Sequence, residues 1–462
     1  MMLYHALRAA AAVALRWYYA DIVVQGAERI PRAGPLIIVS NHPNALVDAL
    51  VVSTTLRRRV LLTAKATLFE HPLLAPLLRA VGVVPLRRAR DERAERQGEA
   101  VSVGRNTESF RQVTDVLLRG RAVLVFPEGI SHDEPTLAPL KTGAARMALT
   151  AAAAGARGVR LLPLGLIFEQ KEQPRSRVLV RVGESIDLDA WRVQRGSSDA
   201  TRLTADLDVA LKHVTLNFAS EARARRAVAL ARALAAITEA PPTLDQPRSL
   251  AAEAELARRV EAATDALESA PASVAADADA FIARVDALEA HLLARGAALA
   301  DIQISPRLRH GARFIVRESI VVLGALPFAL LGRVMHWLPL RVARALAMRP
   351  LARDPSRDQP AMRTIVLGLA FVLLWYALQA LLAAHWFGIA AAVLWLVILV
   401  LAGRVDFLLR DRVQRAWRRA RTYRALRADP AFREESLAEI RALIAQALAL
   451  ETTLVAPRVN LA

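Results

Sequence analysis

The first two hundred residues alternate between short apolar runs and longer segments with helical spacing. Runs such as Leu36–Ser40 and Ala122–Phe126 are continuously apolar, which is typical of strands covered on both faces. Segments such as Asn44–Leu56 and Thr142–Ala153 place apolar residues three and four apart, as helices do. The pattern predicts an α/β fold whose central, mostly buried sheet is flanked by helices. Further predicted strands are Val60–Ala64, Val81–Leu86, Leu161–Phe168 and Val178–Val182, and further predicted helices are Leu68–Ala80 and Thr107–Leu118.

The N-terminus has a different pattern from the sheet region. Met1–Val24 is apolar, but Arg8 and Arg16 interrupt it, so no run is long enough to span a membrane. We predict an interfacial amphipathic helix over residues 1–21, with Trp17, Tyr18 and Tyr19 as anchors at headgroup level. The alternative is an ordinary surface helix of the following domain, which we place at 22–218.

The second half of the chain is predicted to be helical. Residues 219–310 are rich in Ala, Arg, Glu and Leu and form a helical insert whose apolar spacing indicates a packing face. A membrane region follows at 311–424. Within it Thr364–Gly403 contains no charged residue, which leaves room for a C-terminal transmembrane helical hairpin at about 364–403. Ile320–Gly332 is apolar but short, so a re-entrant, interfacial or buried helix and a third span are all left open, and 425–462 is a last amphipathic helix.

Arginine flanks both ends of the predicted hairpin, while its turn near His385–Gly388 is free of charged residues. By the positive-inside rule, both flanks lie in the cytoplasm. We therefore expect an integral membrane protein with its sheet domain and both hairpin flanks on the cytoplasmic side. The flanking residues are Arg349, Arg353, Arg357 and Arg363 before the hairpin, and Arg404, Arg410, Arg412, Arg415, Arg418, Arg419 and Arg421 after it.

Charge and composition narrow the class of partner. The net charge of +18 comes almost entirely from arginine and indicates an anionic partner, such as phospholipid headgroups or phosphorylated metabolites. Nucleic acid is not expected, because no binding module or interleaved aromatic platform is present. The chain has no cysteine, which excludes thiolate chemistry, and its histidines lack zinc-ligand spacing, so no metal is expected.

Candidate chemistry lies where predicted strands end. His42 follows the strand Leu36–Ser40, and Pro43 disfavours helical geometry at His42, which places the imidazole in a turn. Residues six apart diverge by about 120° on a regular helix of ~3.6 residues per turn, so His42 and Asp48 meet only if that turn folds back. Asp48 would then hold the imidazole in the tautomer of a general base. A structural His–Asp contact is the alternative.

Two further strand ends carry polar residues. Arg87 and Arg88 follow Gly82-Val83-Val84-Pro85-Leu86, and guanidinium groups suit a bidentate grip on phosphate, although a solvated basic run would look the same. Phe126-Pro127-Glu128-Gly129 closes another strand, where a carboxylate beside a flexible glycine can orient a polyol. Each motif alone is weak.

Taken together and in order, these motifs resemble the four blocks of the glycerophospholipid acyltransferase family. The blocks are His42–Asp48, Gly82–Arg88, Phe126–Gly129 and Leu162–Gly165, and the resemblance covers roughly residues 20–190. It implies that His42 is the base and Asp48 its partner. It also implies that Arg88 or Arg87, with Glu128 and Gly129, binds the phosphate and glycerol of the acceptor, and that Pro163 shapes the acyl pocket.

The spacing within the first block favours one subgroup. Five residues separate His42 from Asp48 where many members have four, and this spacing resembles the yeast-type glycerol-3-phosphate and dihydroxyacetone-phosphate acyltransferases. We therefore expect acyl transfer from acyl-CoA or acyl carrier protein to glycerol 3-phosphate or dihydroxyacetone phosphate at an anionic membrane, without a further cofactor. A 1-acylglycerol-3-phosphate acyltransferase and a non-catalytic lipid-binding or membrane-remodelling protein are the alternatives.

Overall fold

The sheet is assembled around strand β2, which carries the first sequence block. A computed structural model describes residues 2–70, 74–86, 103–239, 248–349 and 360–454. Within them the main sheet runs in the order β1-β8-β7-β2-β6-β3, with β9 paired to β7. Its strands are β1 (Asp21–Gln25), β2 (Leu36–Ser40), β3 (Val60–Leu61), β6 (Ala122–Val125), β7 (Arg160–Phe168), β8 (Arg177–Val182) and β9 (Ile186–Asp187).

Strand β2 pairs in parallel with both β6 and β7, so three strands end at the same edge of the sheet. All five residues of β2 are buried, which explains its continuously apolar pattern. Leu36 and Ile38 pack on one face, with Leu124 and Leu162, whereas Ile37 and Val39 pack on the other face. The prediction of an α/β domain with a covered sheet is confirmed.

Helices cover both faces of this sheet. The face of Ile37 and Val39 packs against α4 (Val103–Leu118), α5 (Gly143–Ala153), α6 (Leu188–Arg195) and α7 (Ala200–Val214). The opposite face packs against α1 (Met2–Tyr18) and α2 (Ala45–Thr55), and against Ala361 and Ile365. The α3 helix (Leu74–Val81) lies between the two strands of a second, smaller sheet along the chain.

That smaller sheet corrects two strand predictions. The predicted strand Val60–Ala64 is divided, because β3 joins the main sheet while β4 (Thr63–Lys65) pairs in parallel with β5 (Val84–Leu86). The predicted strand Val81–Leu86 begins three residues later than expected. Val81 still belongs to α3, and Gly82, with a left-handed φ of 80°, makes the turn into β5.

The N-terminal helix packs on the sheet domain along one side. Leu15, Tyr18 and Tyr19 are buried in the same cluster as β2, and Arg8 donates to the carbonyl oxygens of Ser53 and Leu56 at 2.8 and 2.5 Å. Tyr18 and Tyr19 are therefore core residues, and their expected role as headgroup anchors is wrong. Exposed apolar residues remain on α1, among them Met2 and Val13, so contact of this helix with a membrane stays a prediction.

The described chain divides into two compact units. The sheet unit comprises Met1–Asn217 with Arg344–Leu369, and the helical unit comprises Phe218–Ala343 with Ala370–Ala462. Both the predicted insert 219–310 and the described part of the tail 425–462 fall in the helical unit, so their status as separate domains stays a prediction. The remaining helices are α8 (Glu221–Thr238), α9 (Leu250–Leu267), α10 (Ala272–Ala294), α11 (Leu308–Ala347), α12 (Pro360–Phe387), α13 (Ile389–Ala428) and α14 (Pro430–Leu454).

Three of these helices, α11, α12 and α13, are long and apolar enough to cross a membrane. Gly388 separates α12 from α13, where the turn of the hairpin is expected. In the helical unit the N-terminal part of α11 runs antiparallel to α13. Gly311 lies beside Tyr423, Glu318 pairs with Arg412, and Gly332 packs against the backbone of Ala402.

Candidate active site

The site begins where β2 ends. Asn41 continues the pairing of β2 with β7 through its side chain, since its amide accepts from the Leu166 N–H at 2.7 Å and donates to the Leu166 carbonyl at 3.0 Å. A side chain that imitates a peptide group fixes the direction in which the chain leaves the sheet. His42 therefore enters the following turn at a defined position.

The turn folds His42 back onto Asp48. Ala45 has a left-handed φ of 46°, which is uncommon for a residue with a side chain, and its N–H donates to Ser131 Oγ at 3.0 Å. His42 Nδ1 is 2.9 Å from Asp48 Oδ2, and the same oxygen accepts from the Asn44 N–H at 2.7 Å. The expected His–Asp contact is therefore present. Its catalytic role stays a prediction.

Burial governs the electrostatics of the pair. The Asp48 side chain is fully buried and that of His42 is 12% exposed. Burial raises the pKa of Asp48, while the hydrogen bond from His42 opposes this rise. A carboxylate on Nδ1 holds the proton there, which leaves Nε2 as the basic nitrogen of the ring. His42 also stacks on Phe126, with ring centroids 3.9 Å apart and planes within 11°, so its orientation is fixed from two sides.

The Glu128 carboxylate is bound by donors of the protein itself, whereas its position at a strand end predicts contact with the acceptor. Its side chain is fully buried, and its carboxylate accepts from the backbone N–H groups of His42 at 2.8 Å and of Ala138 at 2.9 Å. It also bonds to Nε2 of His132, whose Nδ1 accepts from the Glu134 N–H, so the proton lies on Nε2. Glu128 thus ties the His42 turn to the loop after β6, and its expected contact with acceptor hydroxyls stays a prediction.

The other residues of the third and fourth blocks are placed by backbone packing. Gly129 has a φ of 73°, and a Cβ there would lie 2.5 Å from Lys141 Nζ, so this position favours glycine. Pro127 is buried, and its carbonyl accepts from the Lys141 N–H at 2.9 Å. Pro163 is buried in β7 and accepts from the Gly183 N–H. Its expected contact with an acyl chain stays a prediction.

Gly165 shows why the fourth block ends in glycine. A Cβ on this residue would lie 2.0 Å from the Val214 carbonyl oxygen, so any side chain would push α7 away from the sheet. Gly165 therefore allows the C-terminal end of α7 to pack closely on β7.

The predicted phosphate ligands Arg87 and Arg88 lie outside the described residues. Among the arginines at 57–59, Arg58 donates to three carbonyl oxygens, those of Pro31, Gly34 and Gly120, at 2.7 to 3.1 Å. Arg58 is thus a structural residue that joins three loops. No sequence pattern distinguishes Arg58 from an arginine in a solvated basic run.

The structure adds residues that sequence reasoning did not assign to the site. The Asn44 side chain donates to the Tyr19 hydroxyl at 3.1 Å, and burial raises the pKa of Tyr19, so that hydroxyl stays neutral. Ser131 and His132 support the turn from the loop after β6. Tyr18 and Tyr19 follow Leu15 by three and four residues, a spacing that predicts one buried helix face at the end of α1. No comparable sequence pattern identifies Ser131 or His132. Among the described residues no cluster of His, Asp and Glu has the geometry of a metal site.

Part of the chain is similar to known acyltransferases. The family model "Acyltransferase" matches residues 21–167. An uncharacterized acyltransferase of Schizosaccharomyces pombe is 24% identical over 262 residues, which cover 39% of this chain and 38% of that protein. Glycerol-3-phosphate O-acyltransferase 2 of Saccharomyces cerevisiae is 45% identical over 85 residues, 18% of this chain and 11% of that protein.

A bacterial protein is also similar to this chain. The 1-acyl-sn-glycerol-3-phosphate acyltransferase of Borreliella burgdorferi is 29% identical over 145 residues, which cover 31% of this chain and 50% of that protein. The chain thus spans half or less of the length of these relatives. The four blocks of the first 190 residues, from His42 to Gly165, lie within the residues that the family model matches. Residues 21–167 thus form an acyltransferase domain, in a chain that is similar to a glycerol-3-phosphate O-acyltransferase and to a 1-acyl-sn-glycerol-3-phosphate acyltransferase.

Proposed function

We propose that the protein is a membrane-bound O-acyltransferase that moves a fatty acyl group from a thioester to a hydroxyl of a glycerol phosphate. The observation that carries this proposal is the His42 imidazole at the carboxyl end of β2, with Nδ1 bound to the buried Asp48. Ligands in open α/β sheets bind at that edge.

The chemistry needs one proton transfer in each direction. His42 Nε2 takes the proton of the acceptor hydroxyl as its oxygen attacks the thioester carbonyl carbon. The carbon–sulfur bond then breaks, and the imidazolium returns the proton to the departing thiolate. Asp48 stabilises the imidazolium between these steps. Protons and electrons therefore balance between the acceptor hydroxyl and the thioester. We expect no metal and no cofactor beyond the acyl donor, which we expect to be acyl-CoA or acyl carrier protein.

We propose glycerol 3-phosphate or dihydroxyacetone phosphate as the acceptor. The five-residue spacing between His42 and Asp48 and the 45% identity to a yeast glycerol-3-phosphate O-acyltransferase over 85 residues support this choice. Arg87 or Arg88 would bind the phosphate. The second candidate acceptor is 1-acylglycerol 3-phosphate, which the match to the Borreliella acyltransferase favours.

The decisive experiment offers acyl-CoA to membranes that contain the protein, with either glycerol 3-phosphate or lysophosphatidate, and identifies the lipid products by mass. Lysophosphatidate formed from glycerol 3-phosphate supports the first acceptor. Phosphatidate formed only from lysophosphatidate supports the second. If folded protein is inactive with both acceptors, and also with acyl carrier protein donors, the non-catalytic lipid-binding alternative replaces the enzyme.

We further propose that both ends of the membrane region lie on the cytoplasmic side. Three successive crossings would make α11 parallel to α13, but the N-terminal part of α11 runs antiparallel to α13. Pro327 and Pro339 lie inside α11, and proline kinks helices. These observations favour a re-entrant α11 with a hairpin of α12 and α13.

Because the chain lacks cysteine, single cysteines can test this topology directly. With a membrane-impermeant thiol reagent, Arg309→Cys and Arg427→Cys should react from the same side, and Phe387→Cys from the opposite side. Opposite sides for the first two positions would instead show three crossings.

A further inference from the structure

Lys171 connects the turn after His42 to a neighbouring loop. It lies between β7 and β8, and its Nζ donates to the Pro43 carbonyl oxygen at 2.9 Å and pairs with the Asp133 carboxylate. Pro43 directly follows His42, and Asp133 belongs to the loop after β6. The Lys171 side chain is only 21% exposed, so most of it is withdrawn from solvent.

The loop that carries Lys171 is held on both sides of this residue. The Arg177 guanidinium donates to the Glu169 carboxylate through two bonds of 2.9 Å, and the Ser176 hydroxyl donates to the Gln170 carbonyl oxygen at 2.7 Å. Because the flanking backbone is fixed in this way, the ammonium group reaches the turn from a defined position.

Lys171 also closes a ring of contacts at the edge of the sheet. The His132 N–H donates to the His42 carbonyl oxygen at 3.3 Å, and Asp133 is the next residue of the same loop. The turn after β2 is thus bound to the loop after β6, and Lys171, from the loop after β7, is bound to both. Since β2 pairs with both β6 and β7, the ring joins the ends of three adjacent strands.

Charged groups from several elements surround this turn. Among them the ammonium group of Lys171 bonds to the turn itself, whereas Lys141 Nζ lies beside Gly129. Within the described part of the chain, the titratable side chains around the turn include Asp48 of α2, Tyr19 after α1, Glu128, His132, Asp133 and Lys141 of the loop after β6, and Lys171.

The carboxylates in this set create a problem for a general base. Asp48, Glu128 and Asp133 favour the protonated imidazolium of His42, and a protonated imidazole cannot take the proton of an acceptor hydroxyl. The ammonium group of Lys171 disfavours the imidazolium and so opposes the carboxylates. Burial raises the pKa of Asp48, and the charge of Lys171 is among those that oppose this rise, so the ammonium group acts on the buried pair.

We propose that Lys171 is a positioning residue of the site, which fixes the turn that carries His42 and keeps the imidazole in its neutral, basic form. This inference rests on the proposed acyl transfer, in which His42 has to accept a proton. Lys171 acts through the turn and through its charge.

The test measures the protonation of His42 without requiring acyl transfer. Diethyl pyrocarbonate modifies a neutral imidazole but not an imidazolium. The rate at which the His42 peptide of the full-length protein in lipid nanodiscs is modified, followed by mass spectrometry between about pH 5 and pH 8, therefore gives a pH of half-maximal rate. The pH dependence of acyl transfer is recorded on the same samples.

Variants of the ion pair separate charge from packing. Lys171→Met removes the cation and leaves the Asp133 carboxylate unmatched, so the pH of half-maximal rate should rise. Asp133→Asn leaves the ammonium group unmatched, so this pH should fall. Because both side chains are partly exposed and solvent screens them, each shift should be about 0.5 pH units. In the double variant the two shifts should largely cancel.

Two further variants serve as controls. Lys171→Arg keeps the charge and should leave the pH of half-maximal rate unchanged. Lys212→Met removes a cation that is paired with Asp208 on α7, and should change neither this pH nor turnover. Turnover at neutral pH should fall about fivefold in Lys171→Met, the loss expected for one hydrogen bond.

Shifts in the same direction in Lys171→Met and Asp133→Asn, or no shift in either, would overturn the proposal and leave the pair as a packing contact. If Lys171→Met does not fold, a downward shift in Asp133→Asn supports the proposal and the absence of that shift contradicts it. Opposite shifts in a natural protein that transfers no acyl group would support the role of Lys171 and refute the proposed function, so the two failures are distinguishable.

Discussion

Buried carboxylates have different partners in the two units. In the sheet unit Asp48 is bound to the imidazole of His42, which can gain and lose a proton near neutral pH. In the helical unit the buried acids are bound to arginine, which keeps its proton. Asp301, whose side chain is fully buried, contacts Arg418 and Arg419 at 2.9 and 3.0 Å, and Glu318 contacts Arg412 at 2.6 Å.

This difference separates a pair that can do chemistry from pairs that hold helices together. An Asp–Arg pair has a fixed charge on both partners, so it can orient helices but cannot transfer protons. An Asp–His pair can shift a proton while its geometry stays the same. We therefore expect substitutions at the first kind of pair to change stability, and substitutions at the second kind to change turnover.

The largest effect should come from His42→Ala. General-base assistance typically contributes ~10²–10⁴-fold, so turnover should fall at least about a hundredfold while the unfolding temperature changes little. Steady-state kinetics and thermal unfolding of the purified protein measure the two quantities. His213→Ala is the matched control, because His213 is exposed on α7 and should leave turnover unchanged. Near-normal turnover in His42→Ala would remove this residue from the chemistry.

Asp48→Asn should have the next largest effect and should act on turnover and stability in opposite directions. The amide cannot stabilise an imidazolium as a carboxylate does, so turnover should fall on the order of 10²-fold. Asp208→Asn, which neutralises a half-buried acid paired with Lys212 on α7, should leave turnover unchanged.

The pH dependence of stability follows from the direction in which the pKa of Asp48 is shifted on folding. Burial raises this pKa above its unfolded value, so the favourable contribution of the protonated carboxyl is present at low pH and is lost as the pH rises through the folded pKa. Asp48→Asn should therefore unfold at a higher temperature than the natural protein at neutral pH, and the difference should shrink as the pH is lowered. A difference that grows toward low pH would show that the folded protein favours the carboxylate.

The sheet and the contact between His42 and Asp48 could be predicted from sequence because each depends on a local signal. Continuous apolar runs of strand length identify β2, β6 and β7, and parallel strands end at one edge. The proline after His42 indicated the turn that brings the imidazole to Asp48.

Features that depend on long-range partners could not be predicted. In the sequence, Glu128 is a carboxylate at a strand end that could orient a polyol, but N–H donors from two separate backbone positions and the side chain of His132 enclose it. Arg58 and Arg57 are alike in sequence, yet only the path of three loops decides that Arg58 caps their carbonyls. The antiparallel contact of α11 with α13 depends in the same way on a pairing across some ninety residues, for which helical periodicity gives no signal.

Asp301→Ala tests whether the acid–arginine pairs of the helical unit affect stability rather than turnover. Removing one partner of a buried ion pair typically costs about 3–5 kcal/mol. Arg418 is half exposed and can regain water, but Arg419 is only 13% exposed and would lose its carboxylate, so we expect about 4 kcal/mol. Turnover per folded molecule should be unchanged. Glu221→Ala, which removes an exposed partner of Arg225, should cost at most about 0.5 kcal/mol. Denaturant unfolding measures both, and a loss of turnover without a loss of stability in Asp301→Ala would contradict the distinction between the units.

Ser131→Ala should have the smallest effect and shows how far the geometry of the His–Asp pair depends on its supporting loop. Ser131 Oγ accepts from the N–H of Ala45, where the backbone is left-handed, so its loss should cost about 1 kcal/mol, the net value of an ordinary hydrogen bond. If that energy holds His42 in position, turnover should fall about fivefold, since ~1.4 kcal/mol corresponds to tenfold. Ser197→Ala removes a similar acceptor, from the Asp199 N–H, in an exposed loop, and should affect stability alone. Equal turnover in the two variants would mean that Asn41, Phe126 and Glu128 suffice to orient the imidazole.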